Sequence, residues 1–513
     1  MAEAKSIAVT TTPAEGGKGL GLLSLVVGLA AGGAVYAITD YLGAERPAVL
    51  PVVLTQTVCV FAAGWLLLAE RGRVVSPILP AAIIAAVLAI PTWFFASIDI
   101  PPAFDLEMFP AYFWSFIAGP LSFYLMLTIA KSALETGVPP HYPSVFFHGI
   151  TMPLIGGGAV LFAGLALLLL YAWAALLKQM DVAFFSELFD EPWFILPFLG
   201  AIGGLSIAMI RSQQSVLGAL RFILLLFSRI AMPIMAVFSV TFLVVLAMRG
   251  PDAVLGMEAF MGRPSGVVLF IAFAGMLIFN GVYQNGEGAP PPWWLRISTI
   301  IAIAAFPVYA GFAAWALWVR IGDYGLTPPR ITGLAMNGLA FAYSIVLIAG
   351  LVSEINWKAK RWMAPVASLN TGMAALWLLV LLLISSPMLN SWAISAKSQE
   401  RILLSNKIAA KDFDFGYLKF RLGKSGEAAL ARIEEAATGR ADAAVIRAGI
   451  ARARAALSYW EYQNPDLVRP EPEPGDAAIE PPAQDAQPGP MDLELNPDGA
   501  DVDTPISAGP AGE

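Results

Sequence analysis

Residues 153–177 read PLIGGGAVLFAGLALLLLYAWAALL, without a single Asp, Glu, Lys or Arg. Roughly 20 apolar residues of helix cross a bilayer core, and a helix pairs its backbone N–H and C=O groups within itself, as lipid requires. Ten further stretches of this kind occur between Leu20 and Ile384. The predicted spans are Leu20–Thr39, Ala48–Ala69, Ile78–Phe95, Ala111–Ala130, Pro153–Leu177, Trp193–Ile210, Ile230–Met248, Gly266–Tyr283, Ile297–Val319, Ile331–Val352 and Trp362–Ile384. We therefore expect an all-α, polytopic transmembrane helical bundle of about 11 spans.

The composition excludes an ordinary soluble protein. Hydrophobic residues make up 58% of the chain and charged residues 13%, whereas about a quarter of the residues of soluble domains are charged. The single cysteine, Cys59, has no partner for an intramolecular disulfide and is expected to pack as a small apolar side chain.

Charge and proline content divide the chain into four predicted regions. These are a polar N-terminal segment (1–18), a transmembrane helical domain (19–388), a small soluble helical segment (389–462) and a disordered, Pro-rich acidic tail (463–513). From residue 464 onward there are twelve acidic residues and one basic residue, while the rest of the chain has 30 basic and 26 acidic residues. A polar, Pro-rich tail buries too little apolar surface to offset its chain entropy.

The basic residues between spans predict the orientation. With the N-terminus inside, twelve basic residues fall on the cytoplasmic side and six on the other, as the positive-inside rule favours. The cytoplasmic set is Lys5, Lys18, Arg71, Arg73, Lys131, Arg211, Arg221, Arg229, Arg296, Lys358, Lys360 and Arg361. An odd number of spans then places the C-terminal region outside the cytoplasm.

Small residues recur in the spans at positions where helices can touch. Such residues allow two helix backbones to approach closely, and in a bundle of this size we expect the contacts to be intramolecular. The predicted contact residues are Gly28, Gly32, Gly156, Gly157, Gly158, Gly164, Gly200 and Gly204.

The most specific segment joins the ninth and tenth predicted spans and reads RIGDYGLTPPR, residues 320–330. Gly325 can adopt a positive φ, and Thr327 followed by two prolines is typical of a helix start. An architectural turn is one interpretation. The other is an anion site, because Arg330 lies beside the free N–H groups of a helix N-terminus. The candidate ligand-binding residues of this turn are Arg320, Asp323, Tyr324, Thr327 and Arg330.

Two arginines, Arg221 and Arg229, interrupt the apolar run 216–232 just before Pro233. This pattern predicts an interfacial helix that leads into the seventh span. The arginines are candidate ligands for the phosphate of an anionic lipid, or they are anchors whose charged ends reach the membrane surface. Asn280, a polar residue of the eighth span, is a further candidate ligand-binding residue, although hydrogen bonds within the bundle also explain it.

Several segments together carry a resemblance to a known family. They are the turn 320–330, Phe279-Asn280, Trp293-Trp294, Ser386-Pro387, Ser395, Ser398-Gln399, Arg401, Phe413-Asp414, Tyr417-Leu418, Phe420 and Gly426. In these residues the chain resembles the bacterial membrane-protein family catalogued as domain of unknown function 4153. The resemblance implies a multi-span protein of the bacterial inner membrane, and it implies no activity and no catalytic residue. The Pro-rich acidic tail departs from that family.

Familiar catalytic patterns are incomplete in this sequence. Gly423-Lys424-Ser425 has the ending of a phosphate-binding loop, but Leu418 occupies the position of its first glycine. His141 and His148 have no adjacent carboxylate or thiol in the sequence to complete a zinc set. Few ionisable residues lie inside the spans, which weakens an ion-coupled pump. We predict no catalytic residue, no metal site and no cofactor.

Two functions remain open at this level. The first is transport, or lipid and amphiphile handling, across the membrane, with the bilayer and an anionic lipid as partners. The alternative is a non-catalytic envelope scaffold whose C-terminal region recruits envelope proteins. No nucleic-acid partner is predicted.

Overall fold

The structure is a computed structural model that describes residues 17–43, 49–98, 108–255, 264–288, 290–355 and 361–464, and these residues form helices without a β-strand. The helices are α1 (Gly17–Leu42), α2 (Val49–Leu68), α3 (Ile78–Ala96), α4 (Phe109–Phe113), α5 (Gly119–Thr136), α6 (Tyr142–Lys178), α7 (Phe184–Asp190), α8 (Pro192–Ser212), α9 (Gln214–Leu255), α10 (Pro264–Tyr283), α11 (Trp293–Tyr324), α12 (Pro328–Ile355), α13 (Pro365–Ile384), α14 (Ser391–Leu404), α15 (Phe415–Ala436), α16 (Ala443–Ala455) and α17 (Tyr459–Gln463). The predicted N-terminal segment, apart from residues 17 and 18, and the predicted acidic tail, apart from 463 and 464, lie outside these ranges.

Eleven helical segments of the described residues are long and apolar enough to cross a membrane, which confirms the predicted number. A π-helical turn, Trp114–Ala118, joins α4 to α5 within one of these spans. Large apolar side chains cover the outside of the bundle, and Leu168, Phe222 and Leu277 are 67%, 66% and 74% exposed. An exposed apolar surface of this extent requires lipid rather than water around it. The chain is therefore a multi-pass integral membrane protein.

Consecutive spans alternate in direction, so the bundle has two ends. At one end Lys131 of α5 meets the last turn of α2, where its ammonium donates to the Leu68 carbonyl (3.0 Å). At the other end the rings of Phe94 and Phe95 in α3 pack against Trp392 in α14, with centroids 6.3 and 6.0 Å apart. We call these the Lys131 end and the Trp392 end.

Helices α1 and α8 touch through their backbones, as the small residues predict. A Cβ added at Gly28 would lie 2.0 Å from the Gly200 carbonyl oxygen, and one at Gly204 would lie 2.0 Å from the Ser24 carbonyl oxygen. A Cβ added at Gly32 would likewise lie 2.2 Å from the Leu196 carbonyl oxygen. Only glycine fits at these positions because the facing atoms are backbone.

The glycines of α6 behave differently from this prediction. No atom lies within 4 Å of a Cβ added at Gly156, Gly157 or Gly164, so these glycines do not mediate close helix contact. Gly158 faces only the flexible end of the Ile210 side chain. The prediction of close approach was wrong for Gly156, Gly157 and Gly164. Glycine permits close contact between helices, but contact also requires that another helix lies at that position.

The predicted division between an interfacial helix and a seventh span is absent, because α9 is continuous from Gln214 past Arg221, Arg229 and Pro233 as far as a kink at Gly250. Arginine is a good helix former, and neighbouring helices make a proline tolerable in a membrane helix. The only non-helical backbone within α9 is at Gly250, with φ of 73°.

The C-terminal helices α14–α17 form a core that is continuous with the bundle. Trp392, Phe415, Leu418 and Leu430 are buried together, and Phe94 of α3 belongs to the same cluster. The Tyr459 hydroxyl donates to Asp414 at 2.5 Å, and burial together with this carboxylate raises the pKa of Tyr459. This segment is therefore held on the Trp392 end of the membrane helices.

Candidate functional site

A large cavity lies between α1, α2, α5, α6 and α8 and has a volume of about 950 Å³. Ligand pockets in proteins have volumes of roughly 300–1,000 Å³. Every residue that lines the cavity is apolar or glycine apart from the Tyr124 hydroxyl and the Cys59 thiol. The cavity therefore offers space for a hydrocarbon group and few partners for a polar one.

Small residues on α6 and α8 create the cavity. Gly156, Gly157 and Gly203 line it, and nothing lies within 4 Å of a Cβ added at any of them. Phe116 and Ile117 of the π-helical turn form part of the opposite wall. π-helical turns within α-helices are frequent at functional sites.

The cavity has the depth of one membrane leaflet. Along α8 its lining runs from Leu196, near the Trp392 end, to Ile207, near the Lys131 end. Eleven residues of helix extend about 16 Å at 1.5 Å per residue, and half of a hydrocarbon core is about 15 Å thick. The cavity thus spans the depth that one lipid chain occupies.

Charged residues lie one helical turn beyond the cavity at the Lys131 end. Arg211 follows the lining residue Ile207 by four positions, and Lys131 follows Leu127 by four. The Arg211 guanidinium donates to the carbonyls of Leu66 (2.6 Å) and Ala69 (2.5 Å). These bonds satisfy carbonyls at the end of α2 that have no partner within their own helix.

Two carboxylates surround the buried Lys131 side chain. Lys131 pairs with Glu70 and lies 4.0 Å from Glu135, whose other oxygen is 2.6 Å from His148 Nε2. Sequence analysis missed this cluster because Glu135 and His148 are thirteen residues apart. The signal in the sequence was the short α5–α6 connection, which brings the end of one span beside the start of the next.

The candidate residue Asn280 belongs to a hydrogen-bonded network inside the bundle. Its amide donates to the Tyr343 hydroxyl (2.6 Å), and the Asn370 amide donates to the Asn280 side-chain oxygen (2.9 Å) and the Tyr142 hydroxyl (3.0 Å). Four helices are joined in this way. The network supports the structural interpretation of Asn280.

The turn 320–330 holds the C-terminal segment. Leu326 N–H donates to the Ser398 hydroxyl (3.0 Å), Ser395 donates to the Leu326 carbonyl (2.9 Å) and Gln399 donates to the Tyr324 carbonyl (3.0 Å). Gly325 has the predicted positive φ, at 73°. These contacts favour the architectural interpretation of the turn.

Among the other candidate residues of the turn, Arg330 contacts Gly325 and Tyr324 of the turn itself. Arg330 donates to the Gly325 carbonyl (2.5 Å), and its guanidinium carbon lies 5.7 Å from the centroid of the exposed Tyr324 ring. Thr327 is buried, Arg320 is half-buried, and the Asp323 side chain lies outside what the structure describes.

The two arginines of α9 do not converge on this turn. Arg221 donates to the Thr151 hydroxyl (3.3 Å) and lies over the Phe147 ring, 4.4 Å from its centroid. Arg229 is exposed. The predicted residues therefore fall in three separate places, and none of them lines the cavity.

Comparisons of the chain with family models, with curated proteins and with solved structures find no match. The structure by itself shows a multi-pass integral membrane protein with an apolar cavity between its helices and a charged cluster near one end of that cavity.

Proposed function

We propose that the protein binds the hydrocarbon chain of a membrane lipid in the cavity and acts in lipid or amphiphile handling. One observation carries this proposal, the apolar cavity of about 950 Å³ with the depth of one leaflet. A polar or ionic substrate would lose its hydration there without gaining hydrogen bonds. An unfilled cavity leaves its lining without dispersion contacts, which favours occupation by a chain from the surrounding lipid.

Filling the cavity is expected to abolish lipid retention. Gly157→Leu and Gly203→Leu each place a side chain into the cavity, and neither Cβ meets an atom within 4 Å. We expect labelling of the purified protein by a phospholipid with a diazirine in its acyl chain to fall about tenfold or more, the equivalent of at least 1.4 kcal/mol.

The matched control is Gly164→Leu, on the same helix but outside the lining, where a Cβ is equally free of contacts. Its labelling should match that of the wild type. Equal labelling of all four proteins would contradict the proposal.

We further propose that the protein lies in a bacterial inner membrane, as a relative of the family of unknown function 4153, with the Lys131 end in the cytoplasm. In a Cys59→Ala background, Ser76→Cys should react with a membrane-impermeant maleimide only after the membrane is broken, because it lies at the Lys131 end. Leu457→Cys, at the exposed C-terminal segment, should react in intact spheroplasts. The opposite pattern would reverse the orientation.

An envelope scaffold is the second candidate function. Leu457 and Trp460 of the C-terminal segment are 90% and 59% exposed although the segment has its own core. A protein partner that covered these two side chains would remove their apolar surface from water, which is favourable. Absence of lipid labelling in the wild type would make this the working hypothesis.

A further inference from the structure

We infer that the lipid in the cavity carries a phosphate in its headgroup and that Arg211 binds this phosphate at the Lys131 end. The inference rests on the proposed function, because it concerns the polar end of the same ligand. It places the hydrocarbon chain of the lipid against α8 between Leu196 and Ile207, and the headgroup one turn further along this helix.

The register of α8 aligns Arg211 with the cavity. Gly200, Gly204 and Ile207 line the cavity, and Arg211 continues their spacing of three to four residues. Residues with this spacing share one face of a helix. A chain that fills the cavity therefore presents its polar end to the region of Arg211.

The Arg211 guanidinium keeps donors free for a ligand. It has five N–H groups, and two of them bind the carbonyls of Leu66 and Ala69. These two bonds hold the guanidinium in place and leave its other three N–H groups to bind a ligand. Arginine with several free donors matches the oxygens of a phosphate, which it can bind in a bidentate manner.

The other charged groups near Arg211 are in contact with one another. The buried Lys131 ammonium pairs with Glu70, and Glu135 pairs with His148. Among the described residues, no carboxylate oxygen lies within 4.0 Å of the Arg211 guanidinium. Arg211 thus has no carboxylate in direct contact, although the charge of Glu70 acts on it from a greater distance, and a lipid phosphate would give it a direct partner.

A pair of diazirine lipids with identical chains tests the inference in the detergent-solubilised full-length protein. Phosphatidic acid carries the phosphate and diacylglycerol lacks it. We expect the wild type to be labelled by phosphatidic acid about tenfold more than by diacylglycerol. Arg211→Gln should bring this ratio close to one, and Arg211→Lys should keep part of the preference because it keeps the charge.

Two controls accompany these variants. Arg249→Gln removes an exposed arginine of α9 at the Trp392 end and should keep the wild-type ratio. Inorganic phosphate at high concentration should compete weakly, since it lacks the chain that the cavity holds. Complete displacement of phosphatidic acid by inorganic phosphate would mean that the site takes a free phosphate, and this would overturn the inference.

The outcomes separate the inference from the proposed function. Labelling by both lipids with equal strength, lost in Gly157→Leu, would overturn the phosphate inference and leave the proposed function standing. Absence of labelling by either lipid would overturn both. If Arg211→Gln does not fold, because the α2 carbonyls lose their donor, a salt series on the wild type decides: the preference for phosphatidic acid should fall as salt rises, and a constant ratio would overturn the inference.

Discussion

Gly28→Ala is expected to destabilise the folded protein by about 3 kcal/mol, at the upper end of the cost of overpacking. The new Cβ would lie 2.0 Å from the Gly200 carbonyl oxygen and 2.8 Å from its carbon. These atoms belong to the α8 backbone, so no side-chain rotation relieves the clash and α1 must move away from α8. The measurement is thermal unfolding in detergent, followed by loss of the monodisperse peak in size-exclusion chromatography.

Gly33→Ala provides the control within the same helix. No atom lies within 4 Å of its added Cβ, and alanine is the better helix former by roughly 0.5–1 kcal/mol. This variant should unfold at or slightly above the wild-type temperature. Similar unfolding of the two variants would show that α1 and α8 are not in backbone contact.

Lys131→Met is expected to cost about 2–3 kcal/mol. The Lys131 side chain is 5% exposed, donates to the Leu68 carbonyl and pairs with Glu70. Removing one partner of a buried pair leaves an uncompensated charge and an unsatisfied carbonyl, which is costly. The Glu70 side chain is 39% exposed, so water offsets part of that cost and the estimate lies below the largest values for fully buried pairs. The measurement is chemical unfolding of the wild type and the variant in detergent, which gives the difference between their free energies of unfolding.

Lys178→Met is the matched control, because Lys178 is an exposed lysine at the end of α6. It should change stability by less than about 0.5 kcal/mol. In a Glu70→Gln background, Lys131→Met should cost less than in the wild type, since the carboxylate is no longer left alone. An equal cost in both backgrounds would show that Glu70 and Lys131 do not interact.

The class of the protein could be predicted from residues such as 153–177, because a membrane helix needs only length and apolar side chains. The turn at Gly325 could also be predicted, since a glycine before Thr-Pro-Pro leaves few backbone conformations. Both features are local. They depend on the order of residues along a single segment.

The candidate site could not be predicted in this way. Asn280 was identified as a polar residue of a span, but its partners Tyr343 and Asn370 are 63 and 90 residues away in the sequence. The pair of Glu135 with His148 was missed for the same reason, although each residue was visible in the sequence. Which side chains pair across helices depends on which spans are neighbours. The sequence does not show this, because the apolar spans have similar compositions.

Glycine shows this division most clearly. Gly28 and Gly157 both lie in long apolar helices, and the sequence by itself determined that each allows a close approach. The tertiary structure decided that Gly28 touches the α8 backbone whereas Gly157 faces the cavity. The sequence determined a multi-span helical membrane protein because lipid selects for length and hydrophobicity alone. Only the packing of five helices decided that a leaflet-deep cavity ends beside Arg211, because a cavity is the space that neighbouring surfaces fail to fill.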